Sequence, residues 1–431
     1  MNILIQNGRV IDPSQGIDRV MNVAVAGGKI AALGAGPAEH PVAGVSHFDE
    51  VIDATGRIVS PGLIDLNAQL QEPGWEEDET IATGTAAAVA GGFTSIACVP
   101  NTDPPIDTQA GVAFVRDQAK LAANCNVFVL ACVSKGREGE QLAEIGSLVH
   151  AGAAGFCDAL RPVQSAELLR RALQYCRMFD KPILNHPEAT SLTDGGVMHD
   201  GLVSTILGLK GIPVEAEDIM TARDIRLAEA TGGRLHLQLI STAGSVEVIR
   251  RAKKRGVPVT AEVCPHNFSL TDEVMRSFDS NFKINPPFRS QEHIDACIEG
   301  LKDGTLDVIA SGHAPRALEK TMRELDVAPF GAVALETTLA LTITHLIEPG
   351  HLTWPEALAR LTCHPAAALG IAKGTLRPGA DADITVIHPG QKWTVTPGNY
   401  ASKGRNCPHA GRELTGRAEM VVVQGEVHRV A

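Results

Sequence analysis

Short apolar runs broken by glycine, aspartate and proline fill residues 1–57, among them Ile3-Leu4-Ile5, Val10-Ile11, Val23-Ala24-Val25 and Lys29-Ile30-Ala31-Ala32-Leu33. This spacing predicts a small β-sheet. The style returns near the other end, in Asp383-Ile384-Thr385-Val386-Ile387 and Met420-Val421-Val422-Val423-Gln424-Gly425-Glu426-Val427, entered through a turn-rich stretch from Gly374 to Asp383. Residues 1–57 and 373–431 are therefore expected to build one discontinuous β-sandwich. Between them the period changes. Strand-like runs at Gly62–Leu66, Thr94–Val99, Val127–Val133, Ala153–Cys157, Pro182–Asn185, Leu235–Ile240, Pro258–Val263 and Asp307–Ala310 alternate with helical patterns such as Thr80–Ala90, Ala166–Phe179, Ala216–Ala230 and Val246–Arg255. The alternation predicts an α/β fold, a (β/α)8 TIM barrel over residues 58–372. Chemistry in such a barrel sits at the C-terminal ends of the strands, so the last residues of each run are the ones to inspect.

A chain of 431 residues accommodates a barrel plus an appendage, and 44% apolar with 20% charged residues supports a full core. The net charge of −12, without a basic stripe and with only 4% aromatics, excludes nucleic-acid binding by phosphate neutralisation. The acidity reads as solubility. Nine cysteines form no C-x-x-C pair and many sit in apolar runs such as Ile96-Ala97-Cys98-Val99, as expected for reduced core residues in the cytoplasm. The stretch Met1–Gly8 reads as a strand and a turn without secretion-signal character, and no window approaches the length of a membrane span.

Several landmarks occur in order: Pro61-Gly62-Leu63-Ile64-Asp65-Leu66, Pro100-Asn101-Thr102-Asp103-Pro104-Pro105, Gly155-Phe156-Cys157-Asp158, Ile240-Ser241-Thr242-Ala243, Cys264-Pro265-His266, Asn285-Pro286-Pro287-Phe288-Arg289 and Gly312-His313-Ala314-Pro315. Together they resemble the dihydroorotases of the long, bacterial type, within the cyclic amidohydrolases, over essentially the whole chain. The resemblance implies an amidohydrolase barrel. In active relatives it also implies a zinc centre whose bound water, lowered from a pKa of roughly 16 to about 7, attacks the ring amide of dihydroorotate. An aspartate after the eighth strand moves the proton there.

Position by position, the resemblance implies substitutions. The His-x-His after the first strand is Asn67 and Gln69, and the following arginine, which would fork onto the substrate carboxylate, is Gln71. After strand six a ligand histidine is Leu239, and after strand eight the aspartate is Gly312 and the final substrate-contacting histidine is Arg316. Asp158 and His186 keep their ligand types, and Asn101, Asn285, Phe330 and Gly331 match substrate-side positions. A catalytic zinc normally takes three protein ligands, and amides are poor replacements for imidazole. No metal and no catalytic residue is expected.

Plainer readings stand beside these. Asp158 and His186 fit satisfied polar groups in a barrel mouth as well as remnant ligands, and Asn101 and Asn285 fit turn chemistry as well as ligand contacts. A relocated site from His236, His266 and His313 with Asp158 and Cys157 lacks any compact ligand motif. Glycine at 312 relieves crowding if no metal is present, and Arg316 is placed to pair with Asp158 or Glu72. The acidic run Glu76-Glu77-Asp78-Glu79 reads as a solvated helix start.

The expected function is that of a non-catalytic dihydroorotase-like protein, one that by resemblance assembles with the catalytic subunit of aspartate transcarbamoylase in pyrimidine biosynthesis, as a homo-oligomer within a larger complex. The alternative is a dihydroorotase or other cyclic amidohydrolase with an atypical, depleted metal site. A ligand-binding sensor using Asn101 and Asn285 is a third reading.

Overall fold

The computed structural model describes residues 1–34 and 47–430. Residues 35–46, within the range assigned to the terminal β domain, lie outside the described residues, as does Ala431. Eight parallel strands follow one another in chain order: β1 (Leu63–Ala68), β2 (Phe93–Cys98), β3 (Asn126–Ala131), β4 (Gly155–Phe156), β5 (Ile183–Asn185), β6 (Leu235–Leu237), β7 (Val259–Val263) and β8 (Val308–Ile309). The ring closes just beyond β8, where Ala68 bridges His313 and the Gln69 N–H donates to the His313 carbonyl at 2.9 Å. Helices such as Ile81–Ala90, Ala166–Arg177, Glu215–Thr231 and Ala243–Lys254 occupy the expected intervals.

Burial follows strand periodicity. Leu63 packs in the large cluster shared with the helices, whereas Ile64 and Leu66 pack with Leu130, Leu184 and Val308 in a second one. The two chain ends meet in a single mixed sheet of eight strands, with its own core around Ile3, Val23, Val59, Ile384 and Val422. Its centre is strand Ile58–Pro61, antiparallel to Ile384–Thr394 and parallel to Ile3–Asp12. That strand leads through Gly62 straight into β1. A β-carbon at Gly62 would overlap the Thr94 side chain, so glycine permits the tight passage from sheet to barrel. The Thr385 hydroxyl seals the seam, donating to the Gly92 carbonyl at 2.7 Å.

Asp65 locks β1 against the segment after β8. Its carboxylate accepts the Ser311 N–H at 2.5 Å and the Ser311 hydroxyl at 2.8 Å. Burial pushes the Asp65 carboxyl up to about 6, against those hydrogen bonds and with the nearby Glu262 charge adding to the rise. The unfolded group titrates near 3.9, so between about pH 4 and 6 the folded state binds more protons and loses stability as pH rises. The loss is on the order of 2–3 kcal/mol and is complete above the folded value. Asp65→Asn is expected to flatten the decline of melting temperature between these pH values; an unchanged slope contradicts the assignment.

Candidate active site at the barrel mouth

A pocket of ≈ 310 Å³ opens at the C-terminal ends of the strands. It brings together Asn67 and Gln69 at the end of β1, Leu239 after β6, Gly312 and Arg316 after β8, and Asn285, Phe330 and Gly331 from two covering loops. Three strand ends turn the same way: Gln71, Leu239 and Gly312 have φ of 61°, 53° and 64°. A left-handed backbone costs a residue with a side chain roughly 1–2 kcal/mol and concentrates at functional sites. Glycine at 312 answers to this conformation and not to crowding. A β-carbon there would lie 3.4 Å from Cys264 and 3.5 Å from Leu239, which is ordinary contact.

The Gln69 side-chain carbonyl is the point of convergence. It accepts from Gln71 Nε2 at 3.0 Å, Asn101 Nδ2 at 3.1 Å and Arg316 Nη2 at 3.3 Å. Arg316 is held from behind by the carbonyls of Phe330 (2.9 Å) and Pro315 (3.0 Å). Its carboxylate neighbour is Asp78, 3.9 Å away, and not the expected Asp158 or Glu72. Glu72 instead receives the Ile81 N–H at 2.8 Å and caps the following helix. The acidic run divides as well. Glu76 and Glu77 face solvent, but Asp78 and Glu79 are buried, Asp78 on the Ala317 N–H and Lys320, Glu79 on Ser402 and Thr83.

Deeper in the barrel, Asn67 Nδ2 donates to Glu262 at 2.9 Å, and Glu262 meets His236 Nε2 at 3.0 Å. The other His236 nitrogen reaches Thr260 at 2.8 Å. Asp158 does not line the pocket and pins the loop after β3, accepting the N–H groups of Val133 (2.8 Å) and Ser134 (3.2 Å) and the Ser134 hydroxyl. Burial outweighs these bonds and raises its carboxyl. His186 bonds Glu188 at 3.1 Å. Burial opposes protonation of this imidazole, but Glu188, helped by the Glu217 charge and the Gln238 backbone, more than offsets it and raises the value. Glu188 is held down to about 2 despite its burial, chiefly by His186, and also takes Asn285 Nδ2 at 2.6 Å. Glu262 and Glu188 were missed from sequence. Their signals were a lone carboxylate in Val259-Thr260-Ala261-Glu262-Val263 and an acid two residues from a candidate histidine.

Zinc favours thiolate, imidazole and carboxylate. Of the family's ligand positions, Asn67, Gln69 and Leu239 offer two amides and leucine methyl groups, and Asp158 and His186, though potential donors, are engaged by Val133, Ser134 and Glu188, so this donor set does not fit that metal centre. Nor do His236, His266, His313, Asp158 and Cys157 rebuild one: among the described residues no three His, Cys, Asp or Glu side chains gather around a common point. His266 stacks on His409 with centroids 5.4 Å apart, and burial lowers it to about 4, so it lines the pocket as neutral imidazole.

With this geometry in place, comparison with known proteins is informative. The Dihydro-orotase-like family profile matches residues 56–245. Proteins named Dihydroorotase from Pelotomaculum thermopropionicum and Geobacter metallireducens are 50% and 48% identical over 99% of this chain, covering 98% and 99% of their own lengths. The chain belongs to the dihydroorotase family. L-Hydantoinase (dihydropyrimidinase) from Arthrobacter aurescens shares the fold at a TM-score of 0.88 and 24% identity, over 99% of this chain and 95% of that one. The expectation that the chain is not an enzyme is thereby overturned: full-length relatives at this identity carry an enzyme's name, and six replaced positions did not justify removing the chain from their class. No described helix is long and apolar enough to cross a membrane, and none of the nine cysteines is in a disulfide.

The geometry assigns Asp158 to loop anchoring. Asp158→Ala is expected to lower stability by about 2–4 kcal/mol, because buried N–H groups lose their acceptor. Asp158→Asn, which keeps one acceptor oxygen, is expected to lose less. Equal losses, or no loss in thermal denaturation of Asp158→Ala, contradict an anchoring role.

Proposed function

We propose that the chain is a dihydroorotase-type cyclic amidohydrolase of pyrimidine biosynthesis, acting from the barrel-mouth pocket with a depleted and atypical metal site. The observation that carries this reading is the pocket itself. Its walls come from the C-terminal ends of β1, β6 and β8 and from the Asn285 and Phe330-Gly331 loops, the places where a barrel enzyme presents its chemistry. The full-length relatives named Dihydroorotase support it. The pocket offers a ring amide the Asn67 and Gln69 amides as polar contacts and the apolar groups of Leu239, Ile284 and Phe330 as packing surface. These groups orient a small polar ring and exclude water from its apolar edge. The cytoplasm is the compartment this reading implies.

The decisive experiment follows ring opening of L-dihydroorotate to N-carbamoyl-L-aspartate, and the reverse closure, by purified protein with its metal content measured. Turnover without stoichiometric zinc is the expected result. No ring chemistry in either direction, with zinc supplied or withheld, contradicts the proposal.

A second reading is favoured by the loss of imidazole or carboxylate at five mouth positions while barrel and terminal sheet stay complete. In it the chain assembles with the catalytic subunit of aspartate transcarbamoylase, as a homo-oligomer within that complex. Co-purification followed by light scattering is expected to show a joint species; two separate peaks contradict it.

A further inference from the structure

The connection between the terminal-sheet strands Ile384–Thr394 and Glu413–Val423 does not stay with its sheet. This strap, residues 395–412, runs into the barrel mouth, where Tyr400, Ser402, Asn406, Cys407 and His409 are buried. It meets the chain beyond three barrel strands. The Ser402 hydroxyl donates to Glu79 after β1, His409 stacks on His266 after β7, and Asn406 reaches the segment after β8. Asn406 makes three bonds there. Its Oδ1 accepts the Arg316 N–H at 3.0 Å, its Nδ2 donates to the Ala314 carbonyl at 3.1 Å, and its own carbonyl accepts the Val333 N–H at 2.9 Å. Ala314 and Arg316 belong to one wall of the pocket, and Val333 directly follows Phe330, Gly331 and Ala332 of another. Gly404 lets the strap come this close. A β-carbon there would lie 2.7 Å from Pro315 Cβ and 2.8 Å from Val333 Cγ1, one contact on each wall.

We propose that Asn406 is a positioning residue of the pocket, through which the terminal sheet sets the placement of the walls that carry Arg316 and Phe330-Gly331. Residues 314–317 belong to no helix or strand, so their conformation depends on contacts from outside. A side-chain amide suits this task. It donates to one backbone group and accepts from another two residues away, whereas an ionised carboxylate only accepts and a methyl does neither. Backbone groups left unpaired at this depth are costly, so the segment shifts when the amide is removed. This role rests on the mouth pocket being the working site, as the cyclic-amide reading holds, and two measurements keep the claims apart.

Hydrogen exchange of the full chain needs no substrate. Asn406→Ala is expected to speed exchange of the Arg316 amide at least about tenfold and to leave the Ile384–Thr394 amides unchanged, because the lost acceptor is local. Gly404→Ala, which pushes the strap off both walls, should act in the same direction and serves where Asn406→Ala does not fold. Turnover of L-dihydroorotate is the second measurement, with Thr385→Val as the control. That variant loses the seam bond to Gly92, just before β2 begins, and touches no pocket wall. With each variant assayed at the same interval below its own melting temperature, kcat/KM should fall about ten- to a hundredfold for Asn406→Ala and less than about threefold for Thr385→Val. Equal losses in the two variants, or an unchanged Arg316 amide, overturn the proposal. If the parent protein turns over no dihydroorotate, the cyclic-amide reading fails and exchange alone decides. Faster Arg316 exchange then upholds the positioning role, and unchanged exchange overturns it.

Discussion

One half-buried cation organises the barrel mouth. The Arg316 guanidinium, fixed by two backbone carbonyls and laid against the Gln69 side chain, puts a permanent positive charge beside the position that would carry a zinc ligand in the resembling enzymes. A unit charge repels another by about 4 kcal/mol at 4 Å in a medium of effective dielectric about 20, and a dication roughly doubles that. The replacements at Asn67, Gln69, Leu239 and Gly312 are consistent with this cation. None supplies a negative group for a metal, and Gln69 turns a carbonyl toward the guanidinium. Asn67 meanwhile spends its amide on Glu262, tying the mouth to the buried Glu262–His236 pair.

The frame beneath this arrangement is ordinary barrel physics. Asp65 and Ser311 clamp the first strand to the last, His313 closes the ring onto Ala68, and left-handed residues at the ends of β1, β6 and β8 turn the chain back over the pocket. The positions inherited from the family thus remain around one cavity although their chemistry has changed. Asp158 and His186, whose residue types are retained, have local roles: one anchors a loop, the other forms a buried pair with Glu188.

Much of this was legible in the chain. The change from alternating strands to strand–helix units reports burial on both faces of a parallel sheet, so all eight strands fell where the apolar runs stand. Asn67, Gln69, Leu239 and Gly312 were legible because each follows such a run, whereas Asn285, Phe330 and Gly331, on covering loops, were reached only through the resemblance. The missing part depended on contacts made across hundreds of residues. Asp78 and Glu79 are buried because the loop before the first helix meets Ala317 and Ser402, 239 and 323 positions away, and nothing in a run of four acids signals that. The partner of Arg316 was misjudged for the same reason. The enzymatic class was misjudged differently: losing three ligands and the proton-carrying aspartate is a statement about a metal centre, whereas class rests on what the whole chain resembles.

Anomalous diffraction at the zinc edge, from crystals grown with zinc in excess, examines this electrostatic picture most directly. A guanidinium beside Gln69 and no ordered zinc in the pocket is the predicted outcome. A fully occupied zinc between positions 67 and 69, with Arg316 swung away, would contradict it.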